Sequence, residues 1–144
     1  MRSVADLLKQ ADQEGFAIPA FNFSDLWEME AIVRAAEELH APVILATNAQ
    51  VVSAHGLEYL AGQGAVAAAQ AKVPVILRLD HCFGETVCRS AIGAGYPSVM
   101  IDKSHCPLEE NIAVSRRIVA AAAAAGVGVE AVRRNGICVP GAPT

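Results

Sequence analysis

"VILRLDHC", residues 75–82, is a run of apolar residues around Arg78 that ends on an acid, a base and a thiol: Asp80, His81 and Cys82. The same shape recurs along the chain. "FAIPAFNF" (16–23) carries Asn22, "APVILATN" (41–48) ends on Asn48, "YPSVMID" (96–102) ends on Asp102, and "VGVEAV" (127–132) holds Glu130. Runs that are apolar through their length suit strands covered on both faces. Between them lie windows of helical period: 24–40, 55–71, 84–95 and 107–126, with one more ahead of them at 4–15. Ser24 or Asp25 is placed to cap the 24–40 helix, and Leu26, Met29, Ile32, Val33 and Ala36 share one of its faces. Gly62 and Gly64 weaken the 55–71 helix, and Pro107 and Gly126 bracket the 107–126 helix. The order is a helix followed by βαβαβαβαβ, which demands parallel strands and right-handed crossovers. An open sheet of that kind usually carries a glycine-rich phosphate loop after its first strand. Here that place reads "FNFSD" (21–25), with no glycine. Polar residues at successive strand ends instead converge on one site in a (β/α)8 barrel. The expected fold class is therefore α/β, a parallel (β/α)8 barrel. About five strands are present where eight are needed, and eight usually take about 250 residues.

The chain has 144 residues, one domain's worth, and 53% of them are hydrophobic, enough for a sizeable core. Net charge is -4, and the longest basic runs are Arg116-Arg117 and Arg133-Arg134. No face for nucleic acid is expected from that pattern. The first residues mix acids with apolar side chains, unlike a secretory leader. No stretch reaches the roughly 18 uninterrupted apolar residues of a membrane span. A soluble, cytoplasmic protein is expected. Cys82, Cys88, Cys106 and Cys138 make no CxxC pair and read as free thiols.

Two clusters carry candidate chemistry. In the first, His81 could ligate a metal and Asp80 could move a proton. Adjacent residues of a regular strand face opposite ways, so both serve one site only if the strand breaks near Asp80. Gly84 lies close enough to allow it. A surface acid and a loop-capping histidine is the other reading. The second cluster is Asp102, His105 and Cys106. Two His-Cys dipeptides, at 81–82 and 105–106, could make a tetrahedral zinc site, although the spacing matches no common zinc module. Small buried fillers are the plainer reading of Cys82 and Cys106. Glu109 and Glu110 suit the first turn of a helix. His40 and His55 read as surface residues at helix ends, and Phe21 and Trp27 as core.

"IPAFNF", "APVIL", "VPVILRLDHC", "GYPSVMIDKSHCPLEENI" and "GVGVEA", in this order and at these spacings, resemble the N-terminal half of the class II, metal-dependent ketose-bisphosphate aldolases. The fructose- and tagatose-bisphosphate aldolases belong to that group. The likeness covers about residues 3–131. It implies a (β/α)8 barrel, a homo-oligomer, and cleavage of a ketose 1,6-bisphosphate to dihydroxyacetone phosphate and glyceraldehyde 3-phosphate, or the reverse. It implies that Asp80 is the catalytic acid/base, that His81 is the first of three histidines on a zinc ion, and that Asp102 is a ligand of a second metal position. Asn22 falls near a substrate-contacting asparagine.

The departures from that pattern are specific. Arg78 stands where the family has a histidine, Lys103 where it has glycine, and Val132 where it has a second metal-binding glutamate; Glu130 matches the first glutamate. Residues 1–131 are thus expected to be the N-terminal part of an aldolase-type barrel, and residues 132–144 a divergent tail. A frame change or gene disruption is one expected origin of that tail, and a segment evolved for another use is the alternative. Three outcomes are open at this point: an aldolase that needs a second half, an inactive fragment, or a non-enzymatic half-barrel that self-associates.

Overall fold

The structure is a computed structural model, and it describes residues 4–133. The tail expected at 132–144 lies outside the described residues from Arg134 onward, and so does Cys138. Five strands, β1 (Ala20–Asn22), β2 (Val43–Thr47), β3 (Val75–Cys82), β4 (Ser98–Asp102) and β5 (Gly128–Val132), form one sheet. All four pairings are parallel and the spatial order is β1-β2-β3-β4-β5. Strand order that follows chain order without reversal is the advance of a barrel wall. A doubly wound sheet reverses at a switch point. The helices are α1 (Val4–Glu14), α2 (Leu26–Glu38), α3 (Ala49–His55), α4 (Leu57–Gln70), α5 (Glu85–Ala94) and α6 (Leu108–Ala125).

The two-residue period of β3 sorts its side chains between two environments. Val75, Leu77 and Leu79 join Val43, Leu45, Val99 and Ile101 in the main core, under Ala36, Leu60, Ala61, Ala91 and Ile118 of the outer helices. Ile76 faces the other way, with Ile44, onto Val4 and Leu7 of α1. Helix α1 thus plugs the base of the concave face. That explains why these strands are apolar on both sides up to Ile76 and turn polar on one side at Arg78. Two glycines permit the close packing. A side chain at Gly64 would put its Cβ 2.8 Å from Leu77, and one at Gly128 would come 3.2 Å from Val4. The glycine that weakens α4 as an isolated helix is therefore what lets it sit on β3.

Asp25, not Ser24, caps α2, its carboxylate accepting from the Glu28 amide at 2.9 Å. Helix α3 has no counterpart among the expected windows; it begins directly after the strand-like run 41–48, whose last residue, Asn48, caps it, and ends at Gly56, whose φ is +83°. Two core expectations fail. Trp27 is 79% exposed and Phe21 52% exposed. Both are large and apolar, but Trp27 borders a groove between α2 and α4, and β1 is an edge of the described sheet. No described helix is long and apolar enough to cross a membrane.

Candidate active site

Three strands build a polar network across the concave face. Arg78 and Asp80, two residues apart on β3, point the same way. Asn22 of β1 donates from Nδ2 to Asp80 Oδ2 at 3.1 Å, and Arg78 donates from its guanidinium to Asp80 Oδ1 at 2.9 Å. The other Arg78 terminal nitrogen donates to Glu130 Oε2 on β5 at 2.8 Å. Asp80 is 7% exposed, so its carboxylate is held on both oxygens in a place water barely reaches. Each oxygen keeps a second lone pair, which leaves the group able to take a proton from a third partner. Arg78 Nε is buried with no hydrogen-bond partner among the described residues.

The strand breaks one residue after Asp80. Leu79 pairs with Val99 and Cys82 with Ile101, so Asp80 and His81 together oppose Met100. This is a bulge, and His81 sits in it with φ of +42°. The break required for Asp80 and His81 to share a site is present, at His81 itself rather than at Gly84. His81 Nδ1 lies 2.7 Å from Asp102 Oδ2 at the end of β4. An ionised carboxylate only accepts, so Nδ1 carries the donated proton and Nε2 faces outward from the pair. Burial would raise the Asp102 carboxyl, but hydrogen bonds from Ser104 and His81 outweigh it and hold the group below its ordinary range.

All four residues singled out from the sequence, Asn22, Asp80, His81 and Asp102, therefore lie at the ends of three strands and in mutual contact in pairs. Asn48 does not join them. It caps α3, accepting from the amides of Gln50 and Val51 at 3.0 and 3.1 Å. His105 is exposed and stacks edge-on against Phe83. Cys82 is buried, as expected, but Cys106 is only half-buried. Sequence reasoning marked Arg78 as a departure and missed its work. The signal was available on one side, since the Arg78–Asp80 spacing puts both on one face. Glu130 is 52 residues away and enters only through the strand order.

The class II family implies a metal. No three His, Cys, Asp or Glu side chains among the described residues are grouped to hold one. The tetrahedral zinc site imagined from the two His-Cys dipeptides is thus not formed. Cys82 turns inward instead, its thiol donating to the Gly84 carbonyl at 3.2 Å. The neighbouring Cys88 thiol draws the Cys82 thiol below its ordinary range. What remains is one imidazole with a carboxylate behind it, a pairing metal-binding histidines commonly show. That is one corner of a catalytic zinc site, which takes three protein ligands.

Comparison with known proteins agrees with this geometry. The family profile of class-II fructose-bisphosphate aldolase matches residues 2–132. A 6-phospho-5-dehydro-2-deoxy-D-gluconate aldolase of Bacillus licheniformis is 40% identical over 90% of this chain and 45% of its own length. A fructose-bisphosphate aldolase of Staphylococcus aureus is 36% identical over 90% of this chain and 46% of its own. Among solved structures, the YdjI aldolase of Escherichia coli superposes with a TM-score of 0.84 at 28% identity, over 90% of this chain and 51% of that one. A fructose-bisphosphate aldolase of Campylobacter jejuni does so with 0.78 at 25% identity, over 89% and 44%. The chain spans about half the length of the curated relatives it matches. A matched profile over nearly all its residues, on a parallel sheet that advances as a barrel wall, makes this chain a member of the class-II fructose-bisphosphate aldolase family.

Proposed function

We propose that this chain supplies the proton-transferring side of an aldolase site that splits a phosphorylated ketose, a ketose 1,6-bisphosphate by resemblance. The single observation that supports this is Asp80: a nearly buried carboxylate, fixed by Asn22 and Arg78, beside an imidazole on a strand bulge. In the cleavage direction a base removes the proton from the hydroxyl that becomes the aldehyde oxygen. The adjacent carbon–carbon bond then breaks, and its electron pair passes to the enediolate of the other product. Asp80 is the base in this reading, and Asn22 and Arg78 keep its oxygens from turning away. His81, held by Asp102, is the residue that would face a divalent metal, zinc by resemblance. Asp102 has a lone pair left for the second metal position that the resemblance also gives it. The described residues fall short of a complete metal site, so no metal-borne step follows from them. For the 144 residues alone the expected result is no turnover.

The test joins this chain to the remaining length of the Bacillus licheniformis relative. The fused protein should cleave fructose 1,6-bisphosphate or 6-phospho-5-dehydro-2-deoxy-D-gluconate, read as release of the three-carbon phosphate, and a chelator should stop it. Asp80→Asn should then lower kcat by at least ~100-fold, the usual scale for a general acid/base. Turnover unchanged by Asp80→Asn would discard the assignment.

A further inference from the structure

Arg78 is spread between two carboxylates. Its Nη1 donates to Glu130 Oε2 at 2.8 Å and its Nη2 to Asp80 Oδ1 at 2.9 Å. Its Nε is buried and has no partner among the described residues. Leaving a buried donor unmet is costly. A planar guanidinium meets a carboxylate most strongly along one edge, through two parallel bonds to the two oxygens. Nε and Nη2 form such an edge, and Nη2 already rests on Asp80. Closing that edge onto Asp80 would give the orphaned Nε an acceptor. Two residues stand against the closure. Asn22 Nδ2 holds Asp80 Oδ2 at 3.1 Å, and Glu130 draws the far nitrogen of the fork away. They lie on β1 and β5, the opposite edges of the described sheet, with Arg78 and Asp80 on β3 between them.

We propose, on the reading of Asp80 as the base, that Glu130 is a positioning residue: it holds Arg78 to a single bond with Asp80 and so keeps that carboxylate open to the substrate's hydroxyl. Without Glu130 the guanidinium turns edge-on. Nε and Nη2 then take both Asp80 oxygens, and Asn22 loses its place on Oδ2. A carboxylate gripped on both oxygens by one fork is pinned in the plane of that fork, and fewer of its lone pairs face a third partner. Glu130 touches no reacting atom in this arrangement; it acts through Arg78. Its side chain is 49% exposed and that of Arg78 14%, so the anchor is the wet end of the pair and the fork the dry one. A solvent-facing ion pair that only added stability would leave the state of Asn22 and Asp80 unchanged.

The first measurement needs no turnover. The 144-residue chain is isotope-labelled, and the side-chain amide signal of Asn22 is followed by NMR. Glu130→Met removes the anchor and should move that signal, although the two residues sit on opposite edges of the sheet. The effect should require an arginine at position 78. In Arg78→Lys, whose ammonium has no fork to close, adding Glu130→Met should leave Asn22 where it was. An Asn22 signal unmoved by Glu130→Met, or moved equally in the Arg78→Lys background, would overturn the proposal whatever the activity. The second measurement uses the fused protein. Glu130→Met should lower kcat by ~10-fold, part of the ~100-fold a general base supplies, with KM unchanged. Turnover lowered by Asp80→Asn but not by Glu130→Met discards the role of Glu130 and leaves Asp80 as the base. Turnover untouched by either substitution discards both.

Discussion

His81 shows how one residue's backbone decides what its side chain can do. A non-glycine residue at φ of +42° is strained, and the strain is held by the bulge around it. The return is a ring brought within 2.7 Å of Asp102 from a strand that would otherwise turn it away. The sequence could show that Asp80, His81 and Asp102 interrupt apolar runs. It could not show that His81 takes the extra place, because a histidine there advertises no left-handed backbone as a glycine would. The pair also carries a pH signature. Asp102 is depressed in the folded chain, so its contribution to stability is complete above the unfolded value near 3.8 and fades as pH falls through the lower folded value. Asp102→Asn should therefore cost about 1–3 kcal/mol at neutral pH and progressively less below pH 4. Denaturant melts of both proteins across that range check it; an equal cost at all pH values would mean the loss is one of packing alone.

The helices were legible wherever their apolar period ran long, and least where a cap and not a period defined them. Helix α3 begins because Asn48 accepts two amides, and it is separated from α4 only by Gly56. Neither feature outweighs the apolar run before it in a window average. The joint between α5 and α6 was equally hidden. Glu85 takes hydrogen bonds from Arg117 of α6, at 2.9 and 3.0 Å, and from Arg89 one turn along its own helix. The Arg117 bonds first, and the Arg89 bonds after them, pull its carboxyl down from 4.5 to about 2. A depressed carboxylate stabilises above its unfolded value and loses that effect as pH falls towards 2. Glu85→Gln should lower the melting temperature at pH 7 and have little effect near pH 2. It should also matter less in 1 M salt, because the three side chains are partly exposed and screened. A difference untouched by acid or salt would assign Glu85 a role other than this ion pair.

At the scale of the whole molecule, the concave face is finished at its base and open at its flanks. Helix α1 covers the inner apolar residues of β2 and β3, while β1 and β5 each have one neighbour in the described sheet. Barrel over open sheet was readable from the glycine-free "FNFSD" and from polar strand ends; how the flanks are covered was not, since an edge strand and an interior one look alike in apolar content. Beside β5 the outer face of α6 shows Leu108, Ile112 and Val119, each between 42% and 50% exposed. Together with Ala131 and Val132 they line an apolar groove of about 450 Å³. A strand edge with no neighbour among the described residues, next to such a groove, favours association with another chain. The 144-residue chain should therefore grow in mass with concentration when followed by light scattering after gel filtration. Ile112→Lys with Val119→Lys keeps good helix formers on α6 and puts two charges across the groove. That double variant should shift the chain towards monomer at equal concentration, with its helical circular dichroism intact. A wild-type chain that stays monomeric as concentration rises, or an association the two lysines leave untouched, would show that this flank is not where the molecule meets its neighbours.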